Sequence, residues 1–140
     1  MTDTGQSIVY RPIGVIHSPF KEPGGMAIQP TSTGAAEGTV EVYPEFAEGL
    51  ADLEGFSHIT LVFHMHKSQG FALKVKPFLD DVLRGVFSTR APRRPNAIGI
   101  STVELLSVKG ATLRVRHLDI VDGTPLLDIK PHVPDFCPRE

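Results

Sequence analysis

Apolar and polar side chains alternate most regularly in residues 58–66, HITLVFHMH. Ile59, Leu61, Phe63 and Met65 fall on one side of this pattern, and three histidines, Thr60 and Val62 fall on the other. A period of two residues is typical of a β-strand, because successive side chains point to opposite faces. These residues are therefore predicted to form a strand with one core face and one mostly polar face.

Weaker alternation predicts further strands, separated by glycine and proline. The predicted segments are 7–18 with an interruption at Pro12, then 39–43, 103–108, 112–120 and the proline-braced, extended stretch 122–136. The segments 103–108 and 112–120 flank Gly110, so they are predicted to form a β-hairpin with a tight turn.

One segment departs from the strand pattern. In residues 45–56, Phe46, Leu50 and Leu53 recur at helical spacing before Gly55, which can end a helix. We expect one short helix there. Residues 19–38 are rich in glycine, proline, serine and threonine and predict a long loop, a kind of segment that is commonly functional or disordered.

Composition agrees with a β-rich chain of one domain. The 140 residues are 41% hydrophobic and include 13 glycines and 12 prolines, which suits many turns. We expect a single domain over residues 1–140, with residues 1–7 as a disordered tail. No targeting pattern or long apolar run is evident, so a soluble cytoplasmic protein is expected. The single Cys137 excludes an internal disulfide and a cysteine-based zinc site.

Charge is distributed unevenly although the net charge is only −2. Acidic residues dominate 37–54, and basic residues dominate 67–94. The basic set is Lys67, Lys74, Lys76, Arg84, Arg90, Arg93 and Arg94. Such a segment suits an anionic partner such as RNA phosphate, but it could equally be a solvated surface.

Two histidines on the predicted central strand raise the question of a metal. His64 and His66 are two residues apart and project the same way. A metal site needs a third ligand and supporting groups, and no recognisable spacing supplies them. We therefore expect no metal. A Walker loop, a nucleophile elbow and a Rossmann glycine motif are also absent from the sequence.

Two polar loops stiffened by proline are the strongest candidates for a binding site. The first, STRAPRRPNAIG (88–99), carries planar arginine forks that can bind a carboxylate or phosphate with two hydrogen bonds. The second, VDGTPLLD (121–128), carries a glycine that permits close approach and an aspartate that can accept hydrogen bonds. Each loop alone could be a plain turn. Their occurrence in one small domain favours a charged ligand.

Four motifs in a fixed order resemble the TsaA-like family, whose best characterised members are tRNA methyltransferases. They are PIGVIHSPF, GFSHITLVFHMHKS, FSTRAPRRPNAIGIS and VDGTPLLDIKPHVP, and the resemblance runs from about Ile13 to Pro134. The resemblance implies an all-β, barrel-like antiparallel fold that is not a Rossmann fold. It also implies S-adenosylmethionine as methyl donor, a homodimer with active sites near the subunit interface, and tRNA as partner. The expected reaction is methylation of the exocyclic nitrogen of threonylcarbamoyl-adenosine next to the anticodon.

The resemblance also assigns residues. Those expected at the cofactor are Gln29, His66, Lys67, Arg90, Ile100, Asp122, Gly123, Thr124 and Pro125. Arg93, Arg94 and Asn96 are expected on the substrate or RNA side, with Arg94 as an alternative brace for its loop. His66 and Asp122 are the two candidate proton acceptors, and sequence does not choose between them.

Two departures from the family pattern and two rival functions stay open. Ala97 stands where members often have a second proline, and Ala27-Ile28-Gln29 stands where many have Pro-Arg-Gln. Larger bacterial members carry a further C-terminal domain, which is not expected here. The rivals are a non-catalytic module that binds S-adenosylmethionine or RNA, and a metal-dependent hydrolase built on His58, His64 and His66.

Overall fold

Six antiparallel strands close into a barrel in a computed structural model that describes residues 5–22, 36–77 and 81–133. The barrel strands are β1 (Gly14–His17), β2 (Glu37–Val42), β3 (His58–His64), β6 (Ile98–Lys109), β7 (Thr112–Arg116) and β8 (Thr124–Pro131). Their order around the barrel is β1-β2-β7-β6-β3-β8. A separate two-stranded sheet pairs β4 (Lys74–Val75) with β5 (Arg84–Gly85). The prediction of an all-β, barrel-like antiparallel fold is confirmed.

The barrel interior holds the apolar core. Along β3, Ile59, Leu61 and Phe63 are buried and Met65 packs against the core, as the alternation predicted. The other strands contribute fully buried aliphatic side chains from both halves of the chain, namely Ile16, Val40, Val103, Leu113, Val115 and Leu126. Ile16 in β1 and Leu126 in β8 belong to the same core, because the first and last strands pair and close the barrel.

The predicted hairpin forms between β6 and β7, where Lys109 pairs with Thr112 across Gly110. Gly110 has φ of 60°, a conformation that glycine adopts without strain. β7 ends at Arg116 rather than at residue 120, because His117 has φ of 72° and leaves the extended conformation. β1 is also shorter than predicted, since exposed Ile8, Val9 and Tyr10 lie outside the sheet.

The segment predicted as one short helix is helical, but its turns are of the 3-10 type. Pro44–Leu50 and Leu53–Gly55 form two such helices, and a third spans Val86–Ser88. Asp52 separates the first two with φ of 70°, which interrupts a continuous helix. In the described part of the chain, no helix has the length and apolarity that crossing a membrane requires.

Candidate functional site

A cleft of about 910 Å³ opens at one end of the barrel. Three parts of the chain line it: the end of β3 with the turn that follows, the arginine-containing loop up to the start of β6, and the connection from β7 to β8. The lining residues are Phe63, Met65, His66, Lys67, Ser68, Gln69, Phe87, Thr89, Arg90, Pro92, Arg93, Arg94, Ile98, Gly99, Ile100, Asp119, Ile120, Val121 and Thr124. The two loops singled out by sequence thus face one cleft.

Close packing of β3 against β6 shapes the apolar floor of the cleft. Phe63 pairs with Gly99, and a Cβ atom at Gly99 would lie 2.5 Å from Cε2 of the phenyl ring. Only glycine leaves room for this ring. On the other side of β3, the pairing with β8 shifts register between Val62 and Phe63, and such a bulge re-aims the side chains next to it. Ile98 and Ile100 add exposed apolar surface.

Arg94 holds the arginine loop in one conformation. Its Nη1 donates to the carbonyl oxygens of Ala91 at 2.8 Å and Thr89 at 3.0 Å, and its Nη2 donates to that of Val86 at 3.2 Å. One side chain thus links three carbonyl oxygens of residues 86–91, and the Val86 oxygen also accepts hydrogen bonds from the Thr89 amide and hydroxyl. Of the two roles that sequence left open for Arg94, the contacts favour the brace over an RNA contact.

The other two arginines of this loop remain exposed on the cleft. Arg90 makes one long hydrogen bond, 3.4 Å from Nη1 to the carbonyl oxygen of Ile100. The guanidinium of Arg93 has no partner among the described residues, although its carbonyl oxygen accepts a hydrogen bond from Ala72 N. Both guanidinium groups can therefore bind an anion with little rearrangement.

His66 lies in the turn that follows β3 and is tied to the arginine loop. Met65 N donates to the carbonyl oxygen of Ala97 at 2.8 Å, and Ser68 Oγ donates to that of Pro92 at 2.9 Å. The pKa of His66 lies below its ordinary value, chiefly because of partial burial and then because Lys67 and His64 add positive charge. The imidazole is therefore neutral at neutral pH and can accept a proton.

Asp122 sits beside the cleft and is occupied by other contacts. Its Oδ1 accepts a hydrogen bond from Ser18 N at 2.8 Å, and its Oδ2 accepts one from Lys21 Nζ at 3.0 Å. The Ser18 amide first and Lys21 second hold the pKa of this carboxyl below its ordinary value. A carboxylate stabilised in this way is a weaker base than an ordinary aspartate.

The cleft brings together most, but not all, of the residues expected from sequence. Of the residues expected at the cofactor, His66, Lys67, Arg90, Ile100 and Thr124 line it; of those expected on the RNA side, Arg93 and Arg94 line it. Asp122, Gly123 and Pro125 flank the lining residue Thr124, and Asn96 precedes the wall formed by β6. Gln29 and Cys137 lie outside the described residues.

Sequence reasoning missed two kinds of lining residue. Phe87 is 75% exposed at the mouth, and Asp119 brings a carboxylate into a mostly basic cleft. An isolated aromatic and a lone aspartate carry no spacing signal. Among the described residues, no three histidine, cysteine, aspartate or glutamate side chains are grouped to hold a metal ion, so the His58, His64 and His66 hypothesis gains no support there.

Comparison with known proteins supports the family resemblance of the sequence motifs. Residues 15–137 match the family model described as tRNA-methyltransferase O N-terminal domain. A probable S-adenosyl-L-methionine-binding protein of Pyrococcus abyssi is 59% identical over 133 residues, covering 95% of this chain and 72% of that protein. The tRNA (adenine(37)-N6)-methyltransferase of Mus musculus is 35% identical over 137 residues, covering 93% of this chain and 32% of the mouse enzyme.

Solved structures show the same fold. A crystal structure of TrmO from Pseudomonas aeruginosa superposes with a TM-score of 0.77 at 40% identity, covering 93% of this chain and 58% of that chain. The chain thus spans a little over half of the bacterial protein and about a third of the mouse enzyme. By its motifs, its barrel and the extent of the match, the chain belongs to the tRNA-methyltransferase O family, through that family's N-terminal domain.

Proposed function

We propose that this protein is an S-adenosylmethionine-dependent tRNA methyltransferase that methylates the exocyclic nitrogen of threonylcarbamoyl-adenosine next to the anticodon. One observation carries the proposal. Five residues assigned to the cofactor by family resemblance line a single cleft although they are spread along the chain from residue 66 to residue 124: His66, Lys67, Arg90, Ile100 and Thr124. The names of the relatives in Pyrococcus abyssi and mouse support the cofactor and the reaction class.

The cleft suits S-adenosylmethionine in size and chemistry. Its volume of about 910 Å³ falls within the range of small-molecule sites. Ile98, Ile100 and Phe87 offer apolar surface for an adenine ring, and Arg90 can pair with the methionyl carboxylate. Family resemblance also assigns Gln29 and residues 122–125 to the cofactor; Gln29 lies outside the described residues, and of residues 122–125 Thr124 lines the cleft.

Bound cofactor supplies an electrophilic methyl group, and the protein aligns the accepting nitrogen with it. Transfer from a sulfonium is an in-line displacement, so alignment and exclusion of water supply much of the rate. The nitrogen must also lose its proton. We assign that proton to His66, which faces the cleft and is neutral at neutral pH because its pKa is lowered.

RNA is proposed to reach the cleft over its basic rim. Arg93 is exposed there, and Lys74 and Arg84 lie on the exposed surface of the neighbouring small sheet. Arg93→Ala should leave cofactor affinity unchanged, weaken tRNA binding and reduce the salt slope of log affinity by about one. Equal salt slopes for Arg93→Ala and wild-type protein would instead make this rim a solvated surface.

A homodimer is proposed on family resemblance and on the exposed apolar surface near the cleft. The side chains of Phe71, Leu73 and Phe87 are 54%, 60% and 75% exposed. A group of exposed apolar side chains, unlike a single one, is typical of an interaction surface. Sedimentation should give twice the chain mass, and Leu73→Glu should shift it toward the monomer. A wild-type monomer at micromolar concentration would contradict this assembly.

Methyl transfer to total tRNA, followed by mass spectrometry of the nucleosides, tests the proposed activity. Wild-type protein should produce methylated threonylcarbamoyl-adenosine, and His66→Ala should lose about two orders of magnitude in rate. His132→Ala is the matched control, because His132 is exposed, lies outside the cleft lining and is not among the groups that lower the pKa of His66. Equal rates for the two variants would remove His66 from the mechanism.

A non-catalytic S-adenosylmethionine-binding module is the second candidate function. The Pyrococcus abyssi relative, which covers 95% of this chain, is named for binding alone. This alternative predicts cofactor binding in calorimetry with no methyl transfer to any tRNA. The metal-dependent hydrolase predicts bound metal by elemental analysis and loss of activity with chelator.

A further inference from the structure

The connection between β7 and β8 presents Asp119 to the cleft from a rigid frame. Leu118 and Ile120 on either side are buried at 0% and 2% exposure, whereas Asp119 is exposed and lines the cleft. Leu118 N donates to the carbonyl oxygen of Ala36 at 3.1 Å, and Ser18 Oγ donates to that of Ile120 at 2.5 Å. With both neighbours anchored, the backbone of Asp119 has little freedom to turn its side chain away.

A hydrogen bond from the neighbouring strand orients the carboxylate itself. Ser101 Oγ, in β6, donates to Asp119 Oδ1 at 2.8 Å. The second oxygen, Oδ2, has no partner among the described residues. Asp119 therefore combines a fixed orientation with one acceptor oxygen that is available to a ligand.

Asp119 is an anionic side chain in a cleft whose other charged side chains are cationic. Among the described residues that line the cleft, Asp119 is the single carboxylate, and four side chains are cationic: Lys67, Arg90, Arg93 and Arg94. S-adenosylmethionine carries a sulfonium, an ammonium and a carboxylate, hence a net positive charge. Four cations alone would repel such a ligand, and the repulsion grows as water is excluded from the cleft.

Asp122 cannot offer a carboxylate oxygen to a cationic ligand without breaking its own hydrogen bonds. Both of its carboxylate oxygens accept hydrogen bonds, from Ser18 N and Lys21 Nζ, and its side chain is outside the lining of the cleft. Asp119, three residues earlier, has the free oxygen and faces the cavity. The two carboxylates of this connection therefore have different roles, one internal and one directed to the ligand.

We infer that Asp119 is a cofactor-binding residue whose carboxylate opposes the sulfonium charge of S-adenosylmethionine, with Ser101 as its positioning residue. The inference rests on the proposed function and adds to it a residue that sets specificity. By favouring the charged sulfonium over the neutral thioether, Asp119 makes the cleft bind the methyl donor in preference to the product S-adenosylhomocysteine. The cationic side chains of the cleft then remain available to the cofactor's own carboxylate and to RNA phosphates.

Calorimetry with both ligands tests the inference. Asp119→Asn keeps the shape and the bond to Ser101 but removes the charge. It should weaken S-adenosylmethionine binding about tenfold or more and S-adenosylhomocysteine binding less than about threefold. Ser101→Ala should produce a smaller loss in the same direction. Glu48→Gln is the control, because it removes the same charge from an exposed position outside the cleft.

Each outcome separates the inference from the proposed function. Unchanged S-adenosylmethionine affinity in Asp119→Asn overturns the assignment, and so does an equal loss for both ligands, which would place the carboxylate away from the sulfonium. In either case the wild-type protein still binds the cofactor and the proposed function stands. If wild-type protein binds neither ligand, the proposed function fails and the assignment of Asp119 fails with it.

Discussion

Replacing Arg94 by lysine tests whether one side chain fixes the arginine loop. The guanidinium donates to three carbonyl oxygens, those of Val86, Thr89 and Ala91, from two nitrogens in a planar fork. Lysine keeps the positive charge but offers a single nitrogen on a flexible chain. We expect Arg94→Lys to lose at least two of the three bonds.

The expected magnitude follows from those two bonds. Hydrogen bonds from charged donors contribute roughly 1.5 to 3 kcal/mol each, and the partial exposure of Arg94 reduces this to about 1 kcal/mol each. Because the loop lies outside the barrel ladders, a loss of about 2 kcal/mol appears as local opening and not as global unfolding. The opening equilibrium should rise about thirty-fold.

Hydrogen exchange resolved by peptide is the suitable assay. Peptides over residues 86–97 should exchange about thirty-fold faster in Arg94→Lys than in wild-type protein, and peptides from β3 should be unchanged. Arg93→Lys is the matched control, because this neighbouring side chain has no bond to lose among the described residues. If residues 86–97 exchange at the same rate in Arg94→Lys and Arg93→Lys, the hydrogen bonds of Arg94 do not hold the loop in its conformation.

Three further changes have defined outcomes. Gly99→Ala should destabilise the protein by about 1 to 3 kcal/mol in urea unfolding, because its methyl group collides with the buried Phe63 ring, and an unaltered midpoint would contradict that packing. Lys67→Gln should move the acid limb of the methyl-transfer pH profile upward, since Lys67 helps to lower the pKa of His66; a downward shift would be the wrong sign. Asp122→Asn should abolish a stabilisation that is complete above the ordinary aspartate pKa of about 3.9 and is lost as pH falls through the lower folded-state pKa. Parallel stability curves for Asp122→Asn and wild type between pH 3 and 6, roughly, would contradict it.

The strands that could be predicted from sequence are those in which burial alternates. β3 has a buried residue at every second position from Ile59 to Phe63, so its period of two was visible. β6 begins five residues earlier than predicted, at Ile98, because Ile98 and Ile100 face the cleft and stay exposed. A strand that serves a binding site lacks the burial pattern on which such predictions depend.

The sequence predicted which segments of the chain line the cleft, but not the contacts that each side chain makes there. The motifs pointed to both loops, and the family resemblance assigned Asp122, the aspartate of the DGTP turn, to the cofactor. In the structure, both carboxylate oxygens of Asp122 accept hydrogen bonds, from Ser18 N and Lys21 Nζ. Asp119 carries the same side chain, and only its bond to Ser101 and its place in the cleft distinguish it. Such contacts join residues far apart in the chain, so no local pattern reports them.

The proposed transfer of a methyl group to a nitrogen of threonylcarbamoyl-adenosine is tested most directly by one comparison. Wild-type protein is incubated with labelled S-adenosylmethionine and with tRNA from two sources, ordinary cells and cells that lack threonylcarbamoyl-adenosine. We predict label in the first tRNA and only background in the second, with methylated threonylcarbamoyl-adenosine as the labelled nucleoside. Equal labelling of both tRNAs, or none in either, would contradict the proposed substrate.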